Sequence, residues 1–217
     1  MLVQDLYERY SRLAFTYSWD RPLAILGLQK RLARAFRTQG AYGLFGTYFA
    51  RLLLWRRSGD RLMTRIEQRF RARHRAPTWS WFSKVGAIEY LDLKFQQIDW
   101  AEDDFENPLN TPDSPSPTTA DTGEVAVTLR GQARKLIPPE GGLANCIILD
   151  EVREDDINFN DLQCVVFGRD KGWRKSRDAN YHALIIRQVA GNIYERAGVA
   201  SLKADHMTKE GYWVTIQ

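Results

Sequence analysis

The sequence has little cysteine, since only two of its 217 residues are Cys. Two cysteines are too few for the disulfide framework of a small secreted domain. No apolar run approaches the ~20 residues that a membrane-spanning helix needs, because residues 41–55, the longest candidate, are interrupted by a glycine and an arginine. Residues 1–15 carry four charged side chains, unlike a signal peptide. These absences predict a soluble, cytoplasmic protein.

Motifs that carry chemistry are also missing. The sequence contains no glycine-rich phosphate loop, no nucleophile elbow around Ser80 or Ser83, and no cysteine pair at zinc-ligand spacing. The scattered residues of ligand type are three histidines and two cysteines: His74, His182, His206, Cys146 and Cys164. We therefore expect no catalytic site, no metal and no cofactor. The carboxylates of residues 150–156 have no calcium-loop glycine and predict a solvated turn.

The charge is divided unequally along the chain. Residues 1–75 carry 16 Lys/Arg against 5 Asp/Glu, and residues 76–217 carry 15 against 22, for a net charge of +4. Such a division favours either an acidic partner or attraction between the two halves, of which the second is our interpretation. Residues 99–123 hold seven Asp/Glu, no Lys/Arg and four of the eight prolines. This composition predicts a flexible acidic insertion, with docking onto the arginine-rich helix described next as the sharper alternative.

Residues 1–76 have the periodicity of helices. Apolar side chains recur at helical spacing over residues 3–13, 23–36 and 44–55. Residues 18–20 offer a cap for the second helix, with Pro22 in its first turn. A fourth helix is predicted over residues 60–75, where Asp60 can cap it and arginines recur every four residues: Arg61, Arg65, Arg69 and Arg73. That face is interpreted as solvated or paired within the chain, and its functional alternative is binding to nucleic acid or an anionic membrane surface.

Residues 77–217 change to the period of strands. Alternating or short apolar runs predict strands at residues 91–96, 125–130, 146–149, 162–167, 181–189, 193–202 and 212–216. Gly191-Asn192 is a hairpin signal between two of them. Few helical patterns intervene, so the sequence predicts an α+β fold: N-terminal helices followed by a mainly antiparallel β-sheet or open barrel.

The least generic string lies at the boundary of these two segments. Pro77 favours an extended backbone before it, and Trp79 and Trp81 are spaced to point to the same side of an extended segment. Each indole buries a large area. We interpret the string as a structural anchor where the helical segment meets the sheet.

At this string the chain resembles the region that follows the HET domain in fungal heterokaryon incompatibility proteins. The Ala-Pro-Thr-Trp-Ser-Trp sequence of residues 76–81 is similar to the family's Ala-Pro-Ser-Trp-Ser-Trp box. Upstream lie a Tyr-Ser-x-Arg-like run and an Asp-Arg-Leu-like helix, and downstream a Tyr-x-Arg-x-Gly-Val strand at residues 194–199. Small departures, such as Phe15 for Leu and Phe45 for Trp, leave the order of the motifs intact. The matching residues, which we expect to be structural, are Tyr10, Ser11, Arg12, Asp20, Arg21, Gly27, Pro77, Trp79, Trp81, Arg196 and Gly198.

The resemblance implies a role in self/non-self recognition and programmed cell death. The family's HET domain, with its Tyr-x-Trp-Gly signature, is not found in this sequence, so we expect a truncated gene model, a fragment or a stand-alone remnant. It also implies a non-enzymatic C-terminal module that serves as scaffold or regulator for the HET effector domain. The expected partner is a HET domain or another incompatibility protein.

Overall fold

The computed structural model describes residues 2–66, 76–110, 128–140, 142–153, 156–171 and 179–217. Its helices are α1 (Leu2–Ser11), α2 (Asp20–Phe36) and the short α3 (Phe49–Leu53). Its strands are β1 (Gly40–Ala41), β2 (Leu44–Phe45), β3 (Trp55–Arg57), β4 (Thr64–Arg65), β5 (Lys84–Val85), β6 (Ile88–Tyr90), β7 (Ile98–Trp100), β8 (Phe105–Glu106), β9 (Leu129–Lys135), β10 (Ile147–Leu149), β11 (Leu162–Asp170), β12 (Tyr181–Ala190), β13 (Ile193–Leu202) and β14 (Tyr212–Ile216). The predicted α+β class is confirmed.

The main sheet has eight strands, and its pairings close a ring. Neighbouring strands follow the order β7-β11-β12-β13-β14-β9-β8, with β10 on β13. Because β9 also pairs with β11, the five strands β11, β12, β13, β14 and β9 return to their starting point. The described pairings in this sheet are antiparallel except β13 with β14. The predicted hairpin is present, with Gly191 at a φ of 51° between β12 and β13.

Both faces of the central strands are buried. Along β11, Cys164 and Val166 contribute to one apolar cluster, whereas Val165 and Phe167 contribute to a second, larger one. This explains the unbroken apolar run of β11, because a strand covered on both sides has no polar face. The larger cluster also contains residues of α1, α2 and α3. The helices therefore pack on one face of the sheet.

The third predicted helix, over residues 44–55, is wrong except for α3. Residues 40–45 instead form a hairpin of β1 and β2, whose turn residues Tyr42 and Gly43 have φ values of 53° and 78°. Positive φ at both central positions is the geometry of a type I′ turn. Gly46 then begins a short 3₁₀ turn where a Cβ would lie 2.3 Å from Asn110 Oδ1. Local apolar spacing resembles a helix here, but long-range packing decides the conformation.

The predicted arginine-rich helix is also wrong over residues 60–66. Asp60 caps no helix, and β4 pairs with β5 through Thr64–Val85 and Arg65–Lys84. Its continuation, including Arg69 and Arg73, lies outside the described residues. The predicted strand at 91–96 is likewise absent, since Leu93 N–H donates to Leu91 O at 2.8 Å and Gln96 has a φ of 63°.

The predicted acidic insertion is wrong over its first twelve residues. Residues 99–110 contribute to β7, a 3₁₀ turn at Glu102–Asp104 and β8. Their carboxylates pair with cations of the sheet, Asp104 with Arg134 at 3.0 Å and Glu106 with Arg130 at 2.8 Å. Residues 111–123 lie outside the described residues. Within the part of the chain that is described, no helix is long and apolar enough to cross a membrane.

Candidate functional site

A buried arginine fastens the two N-terminal helices to the tryptophan string. Arg21, in the first turn of α2, donates from Nη2 to Ser11 O at 3.2 Å and from Nη1 to Lys84 O at 3.1 Å. Its guanidinium lies 5.0 Å from the centre of the Trp81 ring. Burial lowers the pKa of Arg21 to about 10, although Tyr10 acts in the opposite direction. The side chain thus caps the end of α1 and stacks on an indole at the same time.

Tyr10 and Ser11 complete this Arg21 cluster. The Tyr10 hydroxyl donates to Arg21 O at 2.7 Å, and its ring meets the edge of Trp81. Ser11 Oγ donates to Glu8 O at 2.7 Å and accepts from Ile88 N–H at 2.9 Å. Through this hydroxyl the last residue of α1 joins strand β6.

The tryptophan string turns rather than remaining extended. Ser80 N–H donates to Pro77 O at 3.0 Å, and a 3₁₀ turn follows at Trp81–Ser83. Both indoles are fully buried, Trp79 against Phe49 and Trp81 against Tyr7. The prediction of one shared side on an extended segment is wrong, because the turn sends the two rings to different parts of one core.

A second buried arginine lies in β13. Arg196 Nε donates to Asp150 Oδ2 at 2.8 Å, and Nη1 donates to Leu53 O at 2.8 Å. The guanidinium carbon lies 3.2 Å from the centre of the Trp55 ring. Burial lowers the pKa of Arg196, and Asp150 opposes that shift. We call these residues, with the Trp55 carbonyl that Nη2 also reaches, the Arg196 cluster.

The prediction of a solvated acidic turn over residues 150–156 is wrong at Asp150. Its carboxylate is completely buried and bound by Arg196. Glu151, the next residue, binds Arg65 at 2.9 Å and Lys84 at 2.5 Å. Arg65 also reaches Glu195 at 2.8 Å. Arg65 is therefore occupied within the chain, whereas Arg61 is exposed, and we see no continuous basic face over residues 60–66.

Two matching glycines have opposite surroundings. At Gly198 in β13 a Cβ would lie 2.3 Å from Ile148 O, so only glycine permits this approach of β10. At Gly27 in α2 no atom lies within 4 Å of a Cβ. Arg12 and Asp20 are exposed as well, and Arg12 lies 3.6 Å from Glu89. The matching residues thus divide into a buried majority and an exposed group around the start of α2.

One series of hydrogen bonds joins the residue types of a catalytic triad, Asp170, His182 and Ser201. It was not predictable, because these residues are distant from one another in the sequence. His182 Nδ1 lies 3.1 Å from Ser201 Oγ, and Nε2 lies 3.0 Å from Asp170 Oδ1. The Asp170 side chain is more exposed than that of His182, at 26% against 6%. Ser201 N–H, a possible oxyanion donor, donates to Cys146 O at 2.9 Å. These hydrogen bonds therefore link the three neighbouring strands β11, β12 and β13. The backbone N–H of Ser201 is not free to stabilise an oxyanion.

Within the described residues, the two cysteines and His206 form no joint site. Cys146 precedes β10 and Cys164 lies in β11, strands that do not pair with each other, and both thiols are free. Burial raises the pKa of Cys164 to about 12. His206 lies in a 3₁₀ turn, and His74 is outside the described residues. Among the described residues, no three His, Cys, Asp or Glu side chains are grouped to hold a metal ion.

Comparisons of this chain with protein-family models, with curated proteins and with solved structures find no match.

Proposed function

We propose that this chain is a non-catalytic module of a heterokaryon incompatibility protein, acting as scaffold or regulator for a HET effector domain in fungal self/non-self recognition and programmed cell death. The observation that supports the proposal most is the convergence of the matching residues. Tyr10, Ser11 and Trp81 each contact Arg21 in the Arg21 cluster, although α1, α2 and the tryptophan string are separate segments.

The second half of the motif set supports the same interpretation. Arg196 and Gly198, two residues apart in β13, hold β13 against Asp150 and against β10. Trp79 accepts a hydrogen bond at its carbonyl from Trp55 Nε1, at 3.0 Å, and so adjoins the Arg196 cluster. The role of Arg196 is structural in this arrangement, because its guanidinium binds backbone carbonyls and a buried counter-ion. Under this proposal, the matching residues stabilise a scaffold, and any catalytic activity belongs to another domain.

The outward face of α2 is a surface on which such a platform can hold its partner. Leu23 and Leu26 are exposed there, Leu23 to 64%, one helical turn apart, and Leu23 lies on the side of the helix opposite the buried Ile25. Gly27 adjoins them, and glycine within a helix costs roughly 1 kcal/mol relative to alanine. Nothing within the described chain explains that cost, whereas close approach by a second backbone does.

Charge selects the kind of partner for this α2 face. The α2 face continues toward the C-terminal end of the helix with four exposed cations: Lys30, Arg31, Arg34 and Arg37. Among the described residues, no carboxylate partner is found for them. Asp20 is the one carboxylate of α2. A second copy of the chain would bring the same excess of positive charge, so we assign the face to an effector-domain surface that is apolar and acidic.

The experiment that tests the function is expression in a filamentous fungus. We expect the chain alone to be harmless, and co-expression with a HET domain to change the fraction of cells that the HET domain kills. Killing by the chain alone would show that it is itself an effector and would contradict the proposal.

Purified proteins test the α2 face. The chain should bind a HET domain, and Leu23→Asp and Gly27→Leu should each weaken binding about tenfold or more, while Leu2→Asp, at an exposed leucine of α1, serves as the matched control. Equal binding by all variants would place the contact elsewhere on the chain. Sedimentation of the chain as a dimer that Leu23→Asp dissociates would instead assign the face to a second copy.

A further inference from the structure

A cleft of about 590 Å³ lies between α1 and the segment that follows β6. Gln4, Asp5 and Glu8 line it from α1, Arg51 from α3, and Asp92 and Phe95 from the opposite side. Ligand sites in proteins span roughly 300–1,000 Å³. The cleft is therefore large enough for an amino acid or a short peptide.

Arg51 provides a positive charge at one side of the cleft. The residue is 7% exposed, and Nη1 donates to Leu93 O at 2.6 Å. Its guanidinium lies 5.5 Å from the centre of the Phe95 ring and 5.4 Å from that of Trp100. No carboxylate of the described residues lies within ion-pair distance of it, and burial lowers its pKa. Buried charges are usually paired, so this guanidinium has capacity for an anion in the cleft.

Gln4 is the second buried polar side chain that faces the cleft. It is 7% exposed, and its amide makes no hydrogen bond to the described part of the chain. The amide atoms are not fully enclosed by the protein, and Gln4 lines the cleft, so the amide lies at the cleft surface. An amide that can both donate and accept suits a polar ligand in the cleft.

The remaining lining groups determine the ligand class. Asp5, Glu8 and Asp92 are carboxylates, and Glu8 uses one oxygen to accept from Tyr90 N–H at 2.9 Å. The carboxylates of Glu8 and Asp92 repel a free phosphate, but they attract an ammonium group. A guanidinium can donate two parallel hydrogen bonds to a carboxylate. We propose that this cleft binds a zwitterion, an amino acid or short peptide whose carboxylate contacts Arg51 and whose ammonium group contacts the carboxylates of the cleft.

Calorimetric titration of the full chain with four probes tests the ligand class. Triglycine carries both charges far apart, glycine carries them close together, acetyl-triglycine lacks the ammonium group, and triglycine amide lacks the carboxylate. We expect triglycine or glycine to bind, the stronger of the two indicating a peptide or an amino acid, and each blocked peptide to bind about tenfold or more weakly than triglycine. Equal binding of a blocked peptide, or no binding of either zwitterion, would overturn the proposal.

Glutamine variants separate a binding role from a structural one. Gln4→Met should leave the melting temperature of the free chain nearly unchanged, because the amide makes no hydrogen bond to the described residues and lies at the cleft surface, yet weaken triglycine binding. Gln29→Met is the matched control, since the Gln29 amide oxygen accepts from Gly43 N–H at 2.8 Å. That variant should lower the melting temperature and leave binding unchanged. Asp92→Asn tests the ammonium contact at an exposed position, and unchanged binding by both Gln4→Met and Asp92→Asn would contradict the proposed site.

Discussion

At the scale of single residues, Gly27 and Gly198 both belong to the matching residues of the sequence. Substitution by alanine should nevertheless change the free energy of unfolding in opposite directions. Gly27→Ala should stabilise the chain by roughly 0.5–1 kcal/mol, because a methyl group meets nothing and the helix loses a glycine. Gly198→Ala should destabilise it, since the Cβ would meet Ile148 O at 2.3 Å and β10 must move. Urea unfolding of both variants measures the difference. If Gly27→Ala destabilised the isolated chain, the glycine would have an intramolecular role that contradicts the proposed α2 face.

Ser201 provides the residue-scale test of a non-catalytic chain. Its hydroxyl lies beside His182, but the backbone N–H of Ser201 is bonded to Cys146 O. An acyl-transfer site needs donors for the oxyanion, so we expect a fluorophosphonate probe to leave the native chain unlabelled. A serine hydrolase labelled in parallel shows that the probe is active. Labelling that disappears in Ser201→Ala would establish a reactive serine and contradict the proposed non-catalytic function.

At the scale of elements, ion pairs join β4, β5 and β13. Burial alone would raise the pKa of Glu195, but hydrogen bonds from Arg65 and Arg187 outweigh it and lower the pKa below its ordinary value of 4.5. The same balance, with Arg65 and Lys84, lowers the pKa of Glu151. Because the unfolded chain takes up these protons first, this stabilisation is complete above about pH 4.5 and decreases as the pH falls through the lower, folded-state pKa values.

Glu195→Gln should therefore reduce stability at pH 7 and weaken its dependence on pH in the acid range. Urea midpoints at about pH 7, 5 and 3 measure both effects. Glu210→Gln is the matched control, since Glu210 is exposed and its side chain makes no ion pair within the described residues. An acid response of Glu195→Gln identical to that of the unchanged protein would show that these pairs contribute nothing to the pH dependence.

The elements that could be predicted are those whose local pattern agrees with their long-range packing. The strands β11 to β14 and the helices α1 and α2 were predictable, because their apolar residues repeat at the period of the structure they form. The helix predictions for residues 44–48 and 60–66 are wrong for the opposite reason. There the side chains have helical spacing, but the positive φ at Tyr42 and the pairing of β4 with β5 commit the backbone to other partners.

The candidate sites were less predictable than the elements. Arg196 and Asp150 are 46 residues apart, and Arg51 lies 42 residues from the carbonyl that it binds. Neither distance leaves a spacing that a single sequence can display. The resemblance pointed to Arg21 and Arg196 but not to their roles, because a sequence does not distinguish a buried arginine stacked on an indole from a solvated arginine. Gln4 and Arg51 had no signal at all, since in the described part of the folded chain Gln4 lacks a hydrogen-bond partner for its amide and Arg51 lacks a counter-ion.

At the scale of the whole molecule, the Arg196 cluster decides whether the helical and β-rich segments, residues 1–76 and 77–217, unfold together. Arg196 binds Leu53 O in the first segment and Asp150 in the second, and the larger apolar cluster contains side chains of both. Arg196→Met leaves Asp150 buried without its cation, which costs roughly 3–5 kcal/mol. We expect tryptophan fluorescence, which reports on all seven tryptophans, the buried Trp55, Trp79 and Trp81 among them, and far-ultraviolet circular dichroism to give one shared urea transition that this variant shifts as a unit. A variant in which the fluorescence midpoint falls while the dichroism midpoint stays would show two separately folding segments, because the β-sheet would then persist without the core that the tryptophans share with it.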